Sequence, residues 1–309
     1  MEKSTQPPSF SDLPKEILFK ILDELDPIHR LLTRNVSRQL RSIIDCLDPT
    51  IRELTFFDDD GDLTIFTDGN HSVRFQEGSK VDYKMRKNTV KGACHVNLAL
   101  NFLMSILSNP KLKLDTFNLY KYGEKMGTLN EFVEFFAGKL ETKKIQAKHF
   151  EVRADKSINL NSILAILEPG TLEFIQVELY IGCKFGLYEV MNTEHFKKAK
   201  RVQFLDTEPL DPSEIQKFLH LPVFDCHVCS ISLEDVFMLT EMLSKSWKTF
   251  EECCICSSQQ LDLGEIAAAV DEEVEDERYI DWEFSIPDTN HFLYFEFYKT
   301  FVNVRKILS

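Results

Sequence analysis

The chain has no excess of positive charge. Its 36 lysines and arginines are outnumbered by 50 aspartates and glutamates, giving a net charge of −14, and the basic residues are scattered rather than gathered into a stripe. Nucleic-acid binding rests on neutralising phosphates, so this balance argues against a nucleic-acid partner and equally against an anionic membrane. Long apolar runs are also missing. The most apolar stretch, Leu98 to Leu107, is interrupted by Asn101 and Ser105 and falls short of the ~20 residues that span a bilayer. The opening MEKSTQPPSF carries no apolar signal core. The Asn-x-Ser matches at Asn35 and Asn70 therefore read as chance, and the eight cysteines as reduced thiols of a cytoplasmic or nuclear protein. Catalytic signatures are absent too: there is no Gly-x-Ser-x-Gly, P-loop, His-Glu-x-x-His or Gly-x-Gly-x-x-Gly, and the histidines are dispersed. Neither an enzymatic activity nor a cofactor is expected.

What the chain does have begins near its start. In Phe10–Leu47, three short helical patterns are bounded by Asp and Pro. Pro14 suits a helical first turn, because the N–H it lacks would have no partner there. Ile17, Leu18, Ile21, Leu22 and Leu25 recur at spacings of three to four, which places them on one face. Asp26-Pro27 ends this pattern and caps the next, through Leu31, Leu32 and Val36; a third runs through Leu40, Ile43, Ile44 and Leu47. Three helices this short share a very small core and tend to need a docked domain or a partner.

From Thr50 to about Tyr83 the apolar period falls to two, in short runs separated by Asp- and Gly-rich turns, which predicts a small β-meander. His95–Leu107 predicts a helix. A pattern of apolar residues at positions one, four and six then recurs from Leu114, Ala147, Leu172, Ala199, Leu221 and Phe250. Helix-like segments lie between the copies: 130–140, 159–167, 188–197, 213–219 and 233–243. Strand and returning helix, repeated, predict a parallel sheet with helices along one side, whose core forms by stacking. Two architectures fit: a curved leucine-rich-repeat-like solenoid, or an irregular α/β sheet with the same order. Phe132, Phe135 and Phe136 follow helical spacing as core. The acidic run 271–277 reads as a solvated loop, Tyr279–Ile286 and His291–Tyr298 as two strands, and Val302–Leu308 as a short tail.

Cys226-x-x-Cys229 and Cys253-x-x-Cys256 approach zinc-site spacing. Neither pair has a turn residue to fold both sulfurs onto one ion, and both sit in β-type runs, where a separation of three points side chains to opposite faces. Cys226 and Cys253 also fall on apolar positions, where a thiol acts as a small hydrophobe. The reading is against a metal.

Leu13-Pro14-x-Glu16-Ile17-Leu18, Ile21-Leu22, Leu25, Asp26-Pro27, Leu31-Leu32 and Val36-Ser37-Arg38 together resemble an F-box, the motif that docks on a Skp-type adaptor. The order of F-box, short β linker and phenylalanine-rich βα units, with phrases such as LSNPKLKLDTFNLY and LEPGTLEFIQVEL, is similar to the nematode-expanded F-box proteins with an FTH domain, here about Lys113 to Val270. The fold class expected is therefore mixed, α+β / α/β. Residues 1–9 form a disordered lead, 10–48 a three-helix F-box, 49–108 a β-meander and helix linker, and 109–309 a leucine-rich-repeat-like recognition domain.

The resemblance implies the substrate-recognition subunit of a Skp–cullin–F-box ubiquitin ligase, binding the Skp-type adaptor, through it a cullin, and an unidentified target protein. A non-degradative adaptor using the same interface is the alternative. Matching motif positions implies an adaptor surface at Leu13, Pro14, Ile17, Leu18, Ile21, Leu22, Leu25, Leu31, Leu32 and Val36, with about half of these serving the F-box's own core. Ser37 and Arg38 cap and orient the third helix at the rim. Strand alternation points a second set outward as a target-binding face: Asn118, Tyr120, Glu151, Arg153, Gln176, Glu178, Tyr180, Gln203, Asp225 and His227.

Overall fold

The computed structural model describes residues 10, 13–78, 80–83, 86–89, 94–123, 132, 134–136, 144–155, 159–179, 186–270 and 278–308. The expected lead, Tyr180, the acidic run and most of the helix-like segment 130–140 lie outside the described residues. The chain divides into two compact units, Met1–Asn118 and Leu119–Ser309.

The first unit opens with three helices: α1 (Lys15–Asp23), α2 (Pro27–Arg34) and α3 (Arg38–Ile44). Pro14 is the N-cap of α1 rather than part of its first turn, with an extended ψ of 145°. Asp26 caps α2 by accepting the His29 N–H at 2.9 Å, and Pro27 takes the first helical position. Ser37 caps α3 by accepting the Leu40 N–H at 3.2 Å. Leu18, Leu22, Leu40, Ile43, Ile44 and Leu47 form one small core, with Leu13, Phe19 and Leu25 partly buried against it.

Arg30 is also buried there, which no apolar periodicity foretold. Its Nε donates to the Leu25 carbonyl at 2.9 Å and its Nη1 to the Asp48 carbonyl at 2.8 Å. Its Nη2 bonds the Asp23 carbonyl and, at 3.1 Å, the Asp23 carboxylate. One guanidinium thus gathers the end of α1, the turn before α2 and the exit from α3, satisfying carbonyls that those short helices leave orphaned.

An antiparallel meander follows: β1 (Glu53–Asp59), β2 (Asp62–Thr67), β3 (His71–Gln76), β4 (Lys80–Tyr83) and β5 (Arg86–Thr89), each paired with the next. Asp60 and Gly61 take positive φ between β1 and β2, and the Asp58 carboxylate accepts the Gly61 N–H at 2.9 Å. α4 (His95–Leu107) buries Ala99, Leu100, Leu103, Ile106 and Leu107, and it packs on β2 and β3. The first residues of β6 (Leu114–Tyr122) then lie beside β1.

The second unit contains the end of β6, then β7 (Ala147–Ala154), β8 (Phe174–Leu179), β9 (Arg201–Leu205), β10 (Val223–Val228) and β11 (Glu252–Ser257). From β7 to β11 each strand pairs in parallel with the next, as strand and returning helix require. The returns are short: α5 (Leu160–Leu164), α6 (Leu187–Met191) with α7 (Glu194–Lys198), a 3₁₀ turn at Pro212–Phe218, α8 (Leu233–Lys245) and α9 (Leu263–Val270). Where 188–197 predicts one helix there are two, broken at Asn192 and restarted by the Thr193 cap. The segment 213–219 is a 3₁₀ turn rather than an α-helix, capped by Asp211, whose carboxylate accepts the Ser213 N–H. Phe196, Phe204, Phe218, Phe224 and Phe250 form a chain of ring contacts at centroid distances of 5.3–6.4 Å between the sheet and its helices.

The chain's end departs from expectation. Val302–Leu308 is no tail: β14 (Phe301–Leu308) is inserted between β11 and β13 (His291–Tyr298), antiparallel to both, with β12 (Tyr279–Ser285) outside β13. Val302 and Val304 are fully buried, so a period-two signal only two apolar residues long was a strand in the middle of the sheet. The second unit's sheet is therefore mixed rather than parallel throughout.

Candidate functional site

In the first unit, the expected adaptor residues separate by burial. Leu18 and Leu22 are core of the three-helix cluster, and Leu13 and Leu25 lean on it, so these four position the helices rather than present a surface. Ile17 and Ile21, one turn apart on α1, remain about two-fifths exposed. Leu32 on α2 and Val36 in the turn after it form a second exposed apolar pair, with Val36 at 74 %. Leu31 is half-buried; Pro14, Ser37 and Arg38 are exposed. Phe10, ahead of the Leu-Pro pair and outside the expected set, is exposed as well. Ile17 and Ile21 thus expose branched side chains at i, i+4 on one helix face.

In the second unit, helices cover one face of the sheet. The other face is half-exposed, as the alternation of β8, β9 and β10 shows. Strand register aligns its residues in rows. Glu151, Gln176, Gln203, Asp225 and Cys254 are successive neighbours from β7 to β11. His149, Phe174, Arg201, Val223 and Glu252 form the row before it. Arg153 and Glu178 pair in the row after, as do His227 and Cys256.

These residues bond mainly to one another. Arg153 is salt-bridged to Glu151 and, at 3.2 Å, to Glu178, and its guanidinium lies 5.5 Å from the centroid of the Tyr120 ring. The hydrogen bond that Arg153 donates to Glu151, and the charges of both carboxylates, raise the affinity of Arg153 for its proton. Partial burial, then the Glu151 charge, pushes the Tyr120 hydroxyl's pKa up. Gln203 donates to Asp225, whose other oxygen accepts the Cys254 N–H at 3.1 Å; burial still holds this carboxyl above the usual range. His149 stacks on Phe174 at 4.2 Å with Arg201 on the same ring at 5.0 Å, and burial lowers the pKa of His149.

Two expected target-face residues are corrected. Asn118 is buried in the first unit and donates to Thr55 Oγ1 at 3.0 Å. Glu151 is buried beneath Arg153, because an aligned ladder lets a long neighbour cover a shorter acidic one. His149, Phe174 and Arg201 were missed: the repeat pattern drew attention to its central positions, and these stand ahead of them.

His227 donates from Nδ1 to the Thr207 carbonyl at 2.9 Å and accepts at Nε2 from Ser258 Oγ at 2.9 Å. A carbonyl stands where a catalytic Ser–His pair would need a carboxylate to stabilise imidazolium, so the arrangement ties β10 to the turn after β9 and the end of β11. Cys226 and Cys253 face the core, where burial pushes both thiols up in pKa. Cys256 points to the open face instead, so the two Cys-x-x-Cys motifs do not converge. Among the described residues, no group of three or more His, Cys, Asp or Glu is arranged to hold a metal, and no helix is long and apolar enough to cross a membrane.

Comparison with known proteins gives two domain families. The F-box domain matches residues 10–52 and the FTH domain residues 129–272. The chain is similar to F-box A protein 224 of Caenorhabditis elegans, 24 % identical over 263 residues that cover 82 % of this chain and 67 % of that protein. No solved structure matches.

Proposed function

This chain is an F-box protein that also carries an FTH domain, and from that premise we propose that it is the substrate-recognition subunit of a Skp–cullin–F-box ubiquitin ligase. F-box proteins generally serve as substrate adaptors in such complexes, and F-box/FTH proteins are typically non-catalytic. The observation that carries the reading is the burial pattern of the F-box. A three-helix core closes on Leu18 and Leu22 while Ile17, Ile21, Leu32 and Val36 stay exposed, an apolar surface fitted to a Skp-type adaptor and, through it, a cullin.

The parallel strands of the second unit then present the target. Their rows are taken as leucine-rich-repeat-like βα units whose open face, around Arg153, Gln176, Glu178, Gln203, Asp225 and His227, meets a protein partner in the cytoplasm or nucleus. Catalysis by the assembled ligase is proximity: holding a target lysine near the charged conjugating enzyme replaces a bimolecular encounter. No side chain of this chain takes part in the chemistry.

The experiment is affinity purification of the full chain and of an F-box deletion, with mass spectrometry and target half-life followed with and without proteasome inhibition. Adaptor and cullin lost on deletion, with a retained protein whose half-life lengthens on inhibition, is the expected result. An adaptor retained by the deletion would overturn the reading. Cullin absence with stable targets would replace it by the non-degradative adaptor.

A further inference from the structure

Among the described residues, the sheet of the second unit ends on a strand that little in its sequence blunts. β12 is seven residues long and runs unbroken against β13, from Tyr279 opposite Tyr298 to Ser285 opposite Phe292, with no strand on its other side. Proline, lysine, a bulge or brevity ordinarily protects such an edge, and β12 has none of the four.

The hairpin register settles which backbone groups stand open. The Ile286 N–H donates to the His291 carbonyl at 3.0 Å, so Phe284, Trp282 and Ile280, at alternate positions before it, also direct their backbone groups at β13. Those of Tyr279, Asp281, Glu283 and Ser285 point the other way, and among the described residues no backbone group bonds to them. The side chains divide in the same rhythm. Ile280 is buried, and Trp282 and Phe284 carry the core out to the edge, where they stop half-buried. The Trp282 ring lies 5.0 Å from that of Phe295 and 5.7 Å from that of Phe284. The exposed face carries Asp281 and Glu283. Asp281 accepts the Tyr294 hydroxyl at 3.3 Å, and Glu283 has no ion pair among the described residues. Arg305, two strands in, is already held by Glu296 at 2.8 Å.

We propose that the outer edge of β12 is a docking edge for an extended segment of a partner protein in which basic and apolar residues alternate. The segment adds as a further strand on the open N–H and C=O groups of Tyr279, Asp281, Glu283 and Ser285. Its basic residues stand beside Asp281 and Glu283, and its apolar residues beside Trp282 and Phe284. Charge disfavours a second copy of this chain. Antiparallel self-pairing centred on Trp282 sets Asp281 against Glu283 twice, and centring it on either acid sets that acid against itself. The edge owes nothing to the proposed ligase role.

The test is fluorescence anisotropy of the full chain with a labelled Thr-Lys-Val-Lys-Val-Lys-Thr peptide at physiological salt. This peptide should bind at least about tenfold more tightly than Thr-Glu-Val-Glu-Val-Glu-Thr, and Asp281→Lys/Glu283→Lys should reverse the preference. A strand partner uses only alternate N–H groups. Backbone N-methylation of the lysines or of the valines should therefore abolish binding in one frame and spare it in the other, at equal charge. Glu283→Pro removes an outward N–H while leaving the β13 ladder whole, so it should lose the peptide and melt normally. In the free chain, the Asp281 and Glu283 amides should exchange at least about tenfold faster than those of Trp282 and Phe284. The proposal is overturned if both methylated peptides bind like the parent, since attraction is then to net charge alone, or if the double charge reversal keeps the preference for lysine. It is equally overturned if the Asp281 and Glu283 amides are protected in the free chain, the edge then being covered by the chain itself, or if sedimentation shows a dimer that Glu283→Pro dissolves.

Discussion

The combined variant Ile17→Ala/Ile21→Ala/Leu32→Ala/Val36→Ala separates the F-box surface from the F-box core. In the free protein these side chains are 41, 39, 45 and 74 % exposed, and only that open fraction remains for an adaptor to bury. At about 0.8 kcal/mol per buried methylene, scaled by those fractions, the four truncations remove about 4 kcal/mol of docking energy, or about a thousandfold in Kd. Folding should hardly change, because alanine is the best helix former at the three helical positions, Val36 stands exposed in a turn, and none of the four belongs to the central cluster. The opposite behaviour is expected of Leu22→Ala, whose side chain is fully buried. It should cost about 2–5 kcal/mol of F-box stability and lose adaptor binding only through unfolding. The assay is calorimetric titration of the full chain with a purified Skp-type adaptor, beside thermal unfolding of each variant. A quadruple variant that binds within threefold of the parent while melting normally would refute the assignment of this surface.

Other consequences are open to measurement. Arg30→Met leaves carbonyls at both ends of the helical cluster without donors and should lower F-box stability by about 3–5 kcal/mol in urea; Arg30→Lys should restore only part, since an ammonium cannot span three carbonyls. Val304→Asp puts a charge into the middle of a sheet and should expose the segment from β11 to the C-terminus to limited proteolysis while the F-box helices stay protected. Burial lowers the pKa of His195, which is also hydrogen-bonded to the Leu167 carbonyl, and that of His149. Both fold best uncharged, so the stability they confer is complete above the unfolded value near 6.5 and is lost as pH falls below it. The melting temperature should drop on acidification from pH 7 toward 5, and a His149→Gln/His195→Gln variant should flatten that dependence.

Much of this architecture was legible because it is written in local signals. Asp26-Pro27 and Ser37 each name a helix start, and the structure shows both carboxylate and hydroxyl accepting the expected N–H groups. The apolar patterns opening at Ala147, Leu172, Ala199, Leu221 and Phe250 are dense enough to be read singly, and β7 to β11 follow that order. What escaped depends on distant partners. Val302 and Val304 offer two apolar residues, and nothing local shows that a strand at the chain's end slots between β11 and β13. Arg30 looks like any surface arginine until the carbonyls of Leu25 and Asp48 converge on it. Glu151 alternates outward like its neighbours, yet Arg153 two residues on folds over it.

That last case bears on how freely the side chains of the open face can vary. In a parallel sheet, neighbouring strands stand about 4.8 Å apart, so Gln176, Gln203, Asp225 and Cys254 form a row whose steps come from separate βα units. The fold depends on the alternate residues Ile175, Val202, Phe224 and Cys253, which are buried on the other side. A change at one step of the row therefore alters the chemistry presented at that step without disturbing the core that sets its position. The ladder bonds limit this freedom: replacing Gln203 strands a half-buried Asp225 oxygen, and replacing Arg153 strands two carboxylates. On the proposed reading of this face, row positions with no such partner are the ones free to vary with the target, whereas Gln203–Asp225 and Glu151–Arg153–Glu178 have to change together.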